Sequence, residues 1–359
     1  MRLPTSQRFG RLNELRSELG CEWSAISRAI DNTEREILDL ERLLLPPEGR
    51  PLAENVSLVF FGSLARGEST SKSDFDWTLL INGEVDGQHF PLYQTIRRKL
   101  REAGKISPGA TGTFGGLAFS HELVHCIGGQ DDTNKNLTLR MLLLLESLSI
   151  GDDEARKMVI RAILQRYLAD DPSWTWKPDQ KIPRFLLNDV IRFWRTMSVD
   201  FADKFHDQEG EKWALRNVKL RFSRKLILLS GMLACFSWRL RGSGSSSSEE
   251  DRAVEDAISY FESYFSRPPL EILADELLRT EAPAALSAKI FSAYNEFLST
   301  LDDQSFRSEL EKIARKDANI SPVFQLMREQ SHEFRDALLE WLYAPNTQLC
   351  ELVKQYALF

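Results

Sequence analysis

The sequence predicts an α+β protein in which a small mixed β-sheet with helices is followed by a large helical region. Two short apolar runs, Val56–Phe61 and Trp77–Ile81, are rich in β-branched and aromatic residues, which is typical of buried strands. Beyond about residue 150, apolar residues recur at helical spacing. The chain has 359 residues, of which 42% are hydrophobic and 28% charged. These values are typical of a soluble globular protein of about two domains.

Shifts in composition predict the domain boundaries. Residues 1–49 form an N-terminal helical arm, and residues 50–150 contain both predicted strands. Segment 242–251 is rich in Gly and Ser and then acidic, so it predicts a flexible linker. This leaves one helical domain at 151–241 and a C-terminal helical domain at 252–359.

Charge, cysteine usage and hydropathy exclude several classes of protein. A net charge of −7 argues against a general nucleic-acid binder, so any such site must be local. The four cysteines show no CxxC spacing, which argues for a reducing cytosol and against zinc or disulfides. The N-terminus lacks the apolar stretch of a signal peptide, and the most apolar run, Leu226–Trp238, is too short to cross a bilayer. We therefore expect a cytoplasmic protein that does not contact a membrane.

The chemistry is predicted to lie between the two strands. Gly62 and Ser63 end the first run and open a helical turn, whose backbone N–H groups can face an anion. Asp74 and Asp76 begin the second run, and residues two apart on a strand share a face. Two adjacent carboxylates repel unless a cation lies between them, and Mg²⁺ takes both carboxylate and phosphate oxygens. The pattern predicts a site for a metal-bound nucleoside triphosphate.

This segment resembles the signature of the DNA polymerase β-type nucleotidyltransferase superfamily, which here reads Gly62-Ser63, then ten residues, then Asp74-x-Asp76. The resemblance covers about residues 50–150. That superfamily includes tRNA-CCA-adding enzymes, poly(A) polymerases, antibiotic nucleotidyltransferases, protein uridylyl- and adenylyltransferases and the cyclic-oligonucleotide synthases of anti-phage systems. The resemblance implies two Mg²⁺ ions, replaceable by Mn²⁺, on Asp74 and Asp76, and a helical domain at 151–241 that closes the cleft. It also implies transfer of a nucleoside monophosphate from an NTP or dNTP to a hydroxyl, with release of pyrophosphate.

The resemblance further implies a third carboxylate on a third strand, where it acts as general base and metal ligand. We predict that strand within Leu117–Ile127. Glu122 is assigned as the carboxylate because two apolar residues follow it. Asp131 and Asp132, in the following loop, are the alternatives.

Basic residues are predicted to neutralise the phosphates. The chain from Lys212 to Arg241 has eight basic residues and no acidic one, an unusual excess in an acidic protein. The alternative is that these charges are solvated or paired within the protein. The residues assigned to nucleotide or phosphate binding are Gly62, Ser63, Arg66, Arg192, Lys219, Arg221 and Arg224.

The hydroxyl of Tyr356 lies near the end of the chain and is predicted to be a first acceptor, because chain termini are commonly mobile. This tail resembles what is expected of the nucleotidyltransferase in the Hailong anti-phage system, which implies a single-stranded oligonucleotide product and an effector protein as partners. The alternative is a tyrosine packed against its own domain. Three functions stay open: synthesis of a nucleotide signal in defence, nucleotide transfer to a partner protein, and an inactive nucleotide-binding module.

Overall fold

The computed structural model of the protein describes residues 8–46, 52–70, 72–105, 114–169, 171, 182–207, 212–241 and 250–357. It confirms the predicted fold class, a small mixed sheet with mainly helical surroundings. The strands are β1 (Val56–Phe61), β2 (Trp77–Ile81), β3 (Gly116–Phe119) and β4 (Ser147–Ile150). The helices of the first half are α1 (Gly10–Leu19), α2 (Ser24–Leu44), α3 (Ser63–Arg66), α4 (His89–Glu102), α5 (Ser120–Val124), α6 (Asn134–Leu145) and α7 (Glu154–Ala169). Those of the second half are α8 (Arg184–Asp207), α9 (Trp213–Lys219), α10 (Lys225–Arg241), α11 (Glu250–Phe265), α12 (Pro269–Arg279), α13 (Ala284–Asp302), α14 (Gln304–Lys312), α15 (Pro322–Leu342) and α16 (Gln348–Leu352).

The chain forms two compact units. The sheet unit comprises Ile30–Asp189 and Ser245–Pro268, and the helical unit comprises Met1–Ala29, Val190–Gly244 and Pro269–Phe359. Most of the predicted linker, residues 242–249, lies outside the described residues, and residues 250 and 251 begin α11. The domain boundaries inferred from composition stay predictions. None of the described helices combines the length and the apolar character that a bilayer crossing requires.

The sheet has the strand order β3-β2-β1-β4. Strand β1 runs antiparallel to β2 and β4, whereas β2 and β3 are parallel. One face of the sheet packs against α2 and α4 through a single apolar cluster. Its members include Leu58 and Phe60 from β1, Trp77 and Leu79 from β2, and Phe75 from the segment before β2. Every second residue of β1 and β2 belongs to this cluster, so the residues between them point to the other face of the sheet.

The predicted N-terminal arm contains two helices in its described part. Gly20, with φ of 60°, ends α1, and α2 runs unbroken from Ser24 to Leu44. A left-handed glycine ends a helix readily because it has no Cβ. Helix α6 ends at Leu145, and Ser147 begins β4. Half-buried and buried residues of β4 alternate, which is the pattern of a short edge strand.

The helical unit has an aromatic core. Phe222, in the π-helical turn Leu220–Arg224, stacks on Phe297 with ring centroids 4.6 Å apart, and on Phe334 at 5.4 Å. Phe297 belongs to α13 and Phe334 to α15. Stacked aromatic pairs add to the free energy gained by burial, so this cluster holds the turn against both helices.

A buried ionic network holds three helices of the sheet unit together. The guanidinium of Arg140, on α6, lies 3.0 Å from a carboxylate oxygen of Asp132 and 3.0 Å from one of Asp189. Arg140 Nε also donates to the Tyr167 hydroxyl, which in turn donates to Asp189 at 2.6 Å. Burial, followed by the charge of Asp189, raises the pKa of Tyr167 well above its ordinary value. The phenol therefore keeps its proton and stays a donor.

We expect Arg140→Met to lower the free energy of unfolding by about 3–5 kcal/mol, since it removes the guanidinium that two buried carboxylates share. Urea unfolding followed by circular dichroism measures this change. The matched control is Arg97→Met, which removes an exposed arginine from α4 and should change stability by no more than about 0.5 kcal/mol. Equal effects of the two substitutions would contradict the interpretation.

Candidate active site

The turn after β1 is built around Gly62. Its backbone has φ of 71° and ψ of −142°, a conformation that only glycine adopts readily. A Cβ built on Gly62 would lie 3.5 Å from Asp76 Oδ2. Ser63, half-buried, begins α3 directly after this turn. The predicted phosphate turn therefore lies directly against one of the two predicted metal-binding carboxylates.

The paired carboxylates stand at the start of β2. Asp74 is exposed and Asp76 half-buried, whereas Phe75 between them is buried in the sheet core. The Lys105 ammonium lies 4.9 Å from the centre of the Phe75 ring. Although β2 begins at Trp77, the Phe61 N–H donates to the Asp76 carbonyl at 2.9 Å, so strand pairing extends to Asp76. Phe75 thus anchors the segment and directs both carboxylates away from the core.

This donor set fits a hard divalent cation. Mg²⁺ is commonly bound by one or two carboxylates, with substrate phosphates and water completing its coordination. Asp74 and Asp76 supply two carboxylates beside the turn that would hold the phosphates. Within the described ranges, no group of three or more His, Cys, Asp or Glu side chains could hold a metal ion. That Asp74 and Asp76 hold a metal ion therefore stays a prediction.

The prediction that Arg66 binds phosphate does not fit its surroundings. Arg66 ends α3 and is buried, and its Nε donates to Glu68 at 2.8 Å. Its Nη1 donates to Glu146, the residue between α6 and β4. Because both carboxylates are also buried, the guanidinium compensates charges inside the protein and ties α3 to the edge of the sheet. Sequence reasoning missed Glu68 and Glu146, although Arg66 and Glu68 stand only two positions apart.

The structure contradicts the prediction that Glu122 lies on a strand next to the paired aspartates. Strand β3 ends at Phe119, and Glu122 is exposed on the short helix α5. Strands β2 and β3 are parallel, and Phe119 is paired with Ile81, the last residue of β2. Glu122 therefore follows the end of β3 opposite to Asp76, and five strand residues span about 16 Å. Residues 105–119 include no Asp or Glu, so β3 carries no carboxylate at all.

The two alternatives do not replace Glu122. Asp131 is exposed in the loop before α6. Asp132 is buried, and its carboxylate is bound by Arg140. Neither residue belongs to a metal-binding group with Asp74 and Asp76 among the described side chains.

The remaining predicted residues belong to the helical unit. Arg192 is half-buried on α8, and Lys219 ends α9. Arg221 and Arg224 lie in the turn Leu220–Arg224, where Arg221 Nε donates to Asn217 at 2.6 Å. Tyr356 is half-buried in the turn Val353–Ala357. Their roles toward nucleotide stay predictions.

A cavity of about 380 Å³ opens at the other end of the sheet. Its lining includes Asn82 and Ser120, which directly follow the parallel strands β2 and β3. Asp76 precedes β2, so this cavity is separate from the carboxylate pair.

Comparison with known proteins agrees with the motif. Residues 10–105 match the family model described as "Putative nucleotidyltransferase DUF294". The matched segment contains Gly62, Ser63, Asp74 and Asp76 and ends before β3. No curated protein matches the chain. The match supports a nucleotidyltransferase-type family for this part of the chain.

We expect Gly62→Ala to destabilise the protein by about 1–3 kcal/mol, because alanine is strained in this backbone conformation. The added methyl group would also face Asp76 Oδ2. We therefore expect the rate of nucleotidyl transfer to fall by more than the loss of folded protein explains. Urea unfolding and an assay of pyrophosphate release measure the two effects. Gly87→Ala is the control, since Gly87 has no positive φ and nothing within 4 Å of its Cβ position. A Gly62→Ala protein with unchanged stability and turnover would contradict this account.

Glu122→Gln should leave the rate of nucleotidyl transfer within about threefold of the parent, since the side chain is exposed at the other end of the sheet. The measurement is pyrophosphate release at saturating nucleotide. A fall of about 10²–10⁴-fold, the usual effect of losing a general base, would instead restore the assignment made from the sequence.

Proposed function

We propose that this chain is a metal-dependent nucleotidyltransferase, which transfers a nucleoside monophosphate from an NTP or dNTP to a hydroxyl acceptor. The observation that carries the proposal is the position of the Gly62 turn, where an added Cβ would lie 3.5 Å from Asp76 Oδ2, with Asp74 two residues before Asp76. The family match over residues 10–105 supports the same class of activity.

Asp74 and Asp76 take the role of metal ligands. Mg²⁺ or Mn²⁺ held there would neutralise phosphate charge and lower the pKa of the acceptor hydroxyl. Phe75 holds the two carboxylates in register, since its ring is fixed in the sheet core. Ser63, at the first position of α3, offers a hydroxyl to a phosphate that enters the turn.

The transfer itself exchanges one P–O bond for another. The acceptor oxygen bonds to the α-phosphorus, the bond from that phosphorus to the β-phosphate oxygen breaks, and pyrophosphate leaves. Because β3 carries no carboxylate, we assign no protein base and expect the acceptor proton to pass to water. The work of the chain is then to position and neutralise the triphosphate.

The finer predictions concern the acceptor and the biological setting. An oligonucleotide signal in anti-phage defence, with or without priming on Tyr356, requires free or protein-linked oligomers as products. Transfer to a partner protein requires a labelled partner, and an inactive nucleotide-binding module gives no product at all. These outcomes are distinguished by the products of one labelling reaction and by the intact mass of the protein, with Tyr356→Phe as its control.

Asp74→Asn and Asp76→Asn should each reduce turnover by at least about 100-fold, because each replaces a charged metal ligand by a neutral one. The assay is pyrophosphate release with each of the eight common ribo- and deoxyribonucleoside triphosphates, in Mg²⁺ and in Mn²⁺. Circular dichroism should show that both variants stay folded, since Asp74 is exposed and Asp76 half-buried.

The matched control for this pair is Asp39→Asn, on the exposed face of α2, which should retain full activity. Activity that survives in the double variant Asp74→Asn/Asp76→Asn would refute the proposed function.

A further inference from the structure

A group of basic side chains gathers in the helical unit where the turn Leu220–Arg224 and the start of α10 meet α15. Arg221 Nη1 lies 3.3 Å from Ser331 Oγ and 3.4 Å from His332 Nε2. The electrostatic neighbours of Arg221 and Lys225 include further arginines of α15. We call this group the cationic cluster. Its members are Arg221, Lys225, Arg328, His332 and Arg335.

Carboxylates do not balance this group. Among the described residues, Asp336 is the carboxylate that the structure pairs with it, at 2.7 Å from Arg335. The other hydrogen bonds of its arginines go to neutral groups. Arg221 donates to the side chain of Asn217, and Arg328 to that of Asn319. The cluster thus holds several positive charges close together with one negative charge at its edge.

Lys225 shows most clearly that the surroundings of this cluster are unfavourable for positive charge. It is half-buried and makes neither a hydrogen bond nor an ion pair with any described residue. Burial first, and then the charges of Arg335 and Arg221, lower its pKa to about 8. Burial and the charges of Arg328 and Arg335 also lower the pKa of Arg221. A protein that gains nothing from these charges would be more stable without them.

His332 has the same cationic surroundings and also contacts Arg221. Burial, followed by the charges of Arg335 and Arg221, lowers the pKa of His332. Because a guanidinium can only donate, His332 Nε2 accepts a hydrogen bond from Arg221 Nη1 at 3.4 Å, and this contact orients the guanidinium. The cluster is therefore held in one arrangement before any ligand arrives.

We propose that the cationic cluster is a binding site for neighbouring phosphate groups of a polyphosphate chain or a phosphodiester backbone. Arg328, His332 and Arg335 stand at i, i+4 and i+7 on one face of α15, a length of about 10 Å. Arg221 and Lys225 lie one turn apart on the adjoining segment. A row of this length suits two or more phosphates better than a single carboxylate, and guanidinium groups pair with phosphate oxygens in two-pronged fashion.

The site does not depend on the proposed transferase activity, because it shares no residue with the carboxylate pair. Binding is therefore measured on the full chain carrying Asp74→Asn and Asp76→Asn, without divalent metal. The probes are a fluorescent single-stranded (dT)₁₀ and, as competitors, ATP and inorganic pyrophosphate. Competition by pyrophosphate supports a polyphosphate ligand, and binding of the oligonucleotide alone supports a phosphodiester backbone.

Lys225→Met and Arg221→Gln should each weaken binding by about tenfold and reduce the slope of log Kd against log salt by about one. Lys157→Met, which removes an exposed lysine from α7 in the sheet unit, should change Kd by less than about twofold.

Thermal unfolding separates a binding role from a structural one. Lys225→Met should keep or raise the unfolding temperature while binding weakens, since it removes a half-buried ammonium among like charges. A lysine that stabilises the fold would give the opposite result, with lower stability and unchanged affinity. That result, or the failure of every probe to bind the parent chain, would overturn the inference, whatever the outcome for catalysis.

Discussion

The hydrogen bond from the Phe61 N–H to the Asp76 carbonyl is the interaction on which the candidate site depends. It continues the antiparallel ladder of β1 and β2 by one step and so brings Gly62 next to the Asp76 carboxylate. A slip of one residue would turn Asp76 into the core and Phe75 out of it. Burial of Phe75, Trp77 and Leu79 excludes that slip, because all three side chains belong to the same apolar cluster. The geometry of the site is therefore a consequence of core packing.

Buried arginines pair with carboxylates inside the sheet unit and are not part of the candidate site. Arg66 compensates Glu68 and Glu146, and Arg140 compensates Asp132. A buried ion pair contributes little net stability, but removing one partner leaves an uncompensated charge. Such arginines are fixed by their carboxylates and have little freedom to meet a ligand. Arg66 illustrates this point, because it lies three residues from Ser63 in the sequence and still serves the interior of the protein.

The sequence predicts the position of a residue well when the residues that fix this position lie close together in the chain. Gly62, Ser63, Asp74 and Asp76 fall within fifteen residues between two adjacent strands, so their spacing and alternation predicted that the Gly62 turn and Asp76 lie close together. The prediction that Glu122 lies on the third strand is wrong for two reasons that the local sequence does not reveal. The chain changes from strand to helix at Ser120, and β3 pairs in parallel with β2. Parallel pairing places residues that follow β3 beside those that follow β2, away from Asp76. Strand β4 was missed because four residues directly after an apolar helix carry too short an alternation to be distinguished from the helix end.

The basic segment Lys212–Arg241 shows why a run of charge in a sequence does not define a site. At its C-terminal end, Arg241 lies 2.8 Å from Asp275 and 3.2 Å from Glu276, so carboxylates of α12 neutralise it. At Arg221 and Lys225, in contrast, the neighbours come from α15, more than one hundred residues away, and are mainly cations. The two ends of one run therefore have opposite electrostatic surroundings. The sign of the charges that the fold brings to each residue is what separates a paired surface from a site that requires an anion.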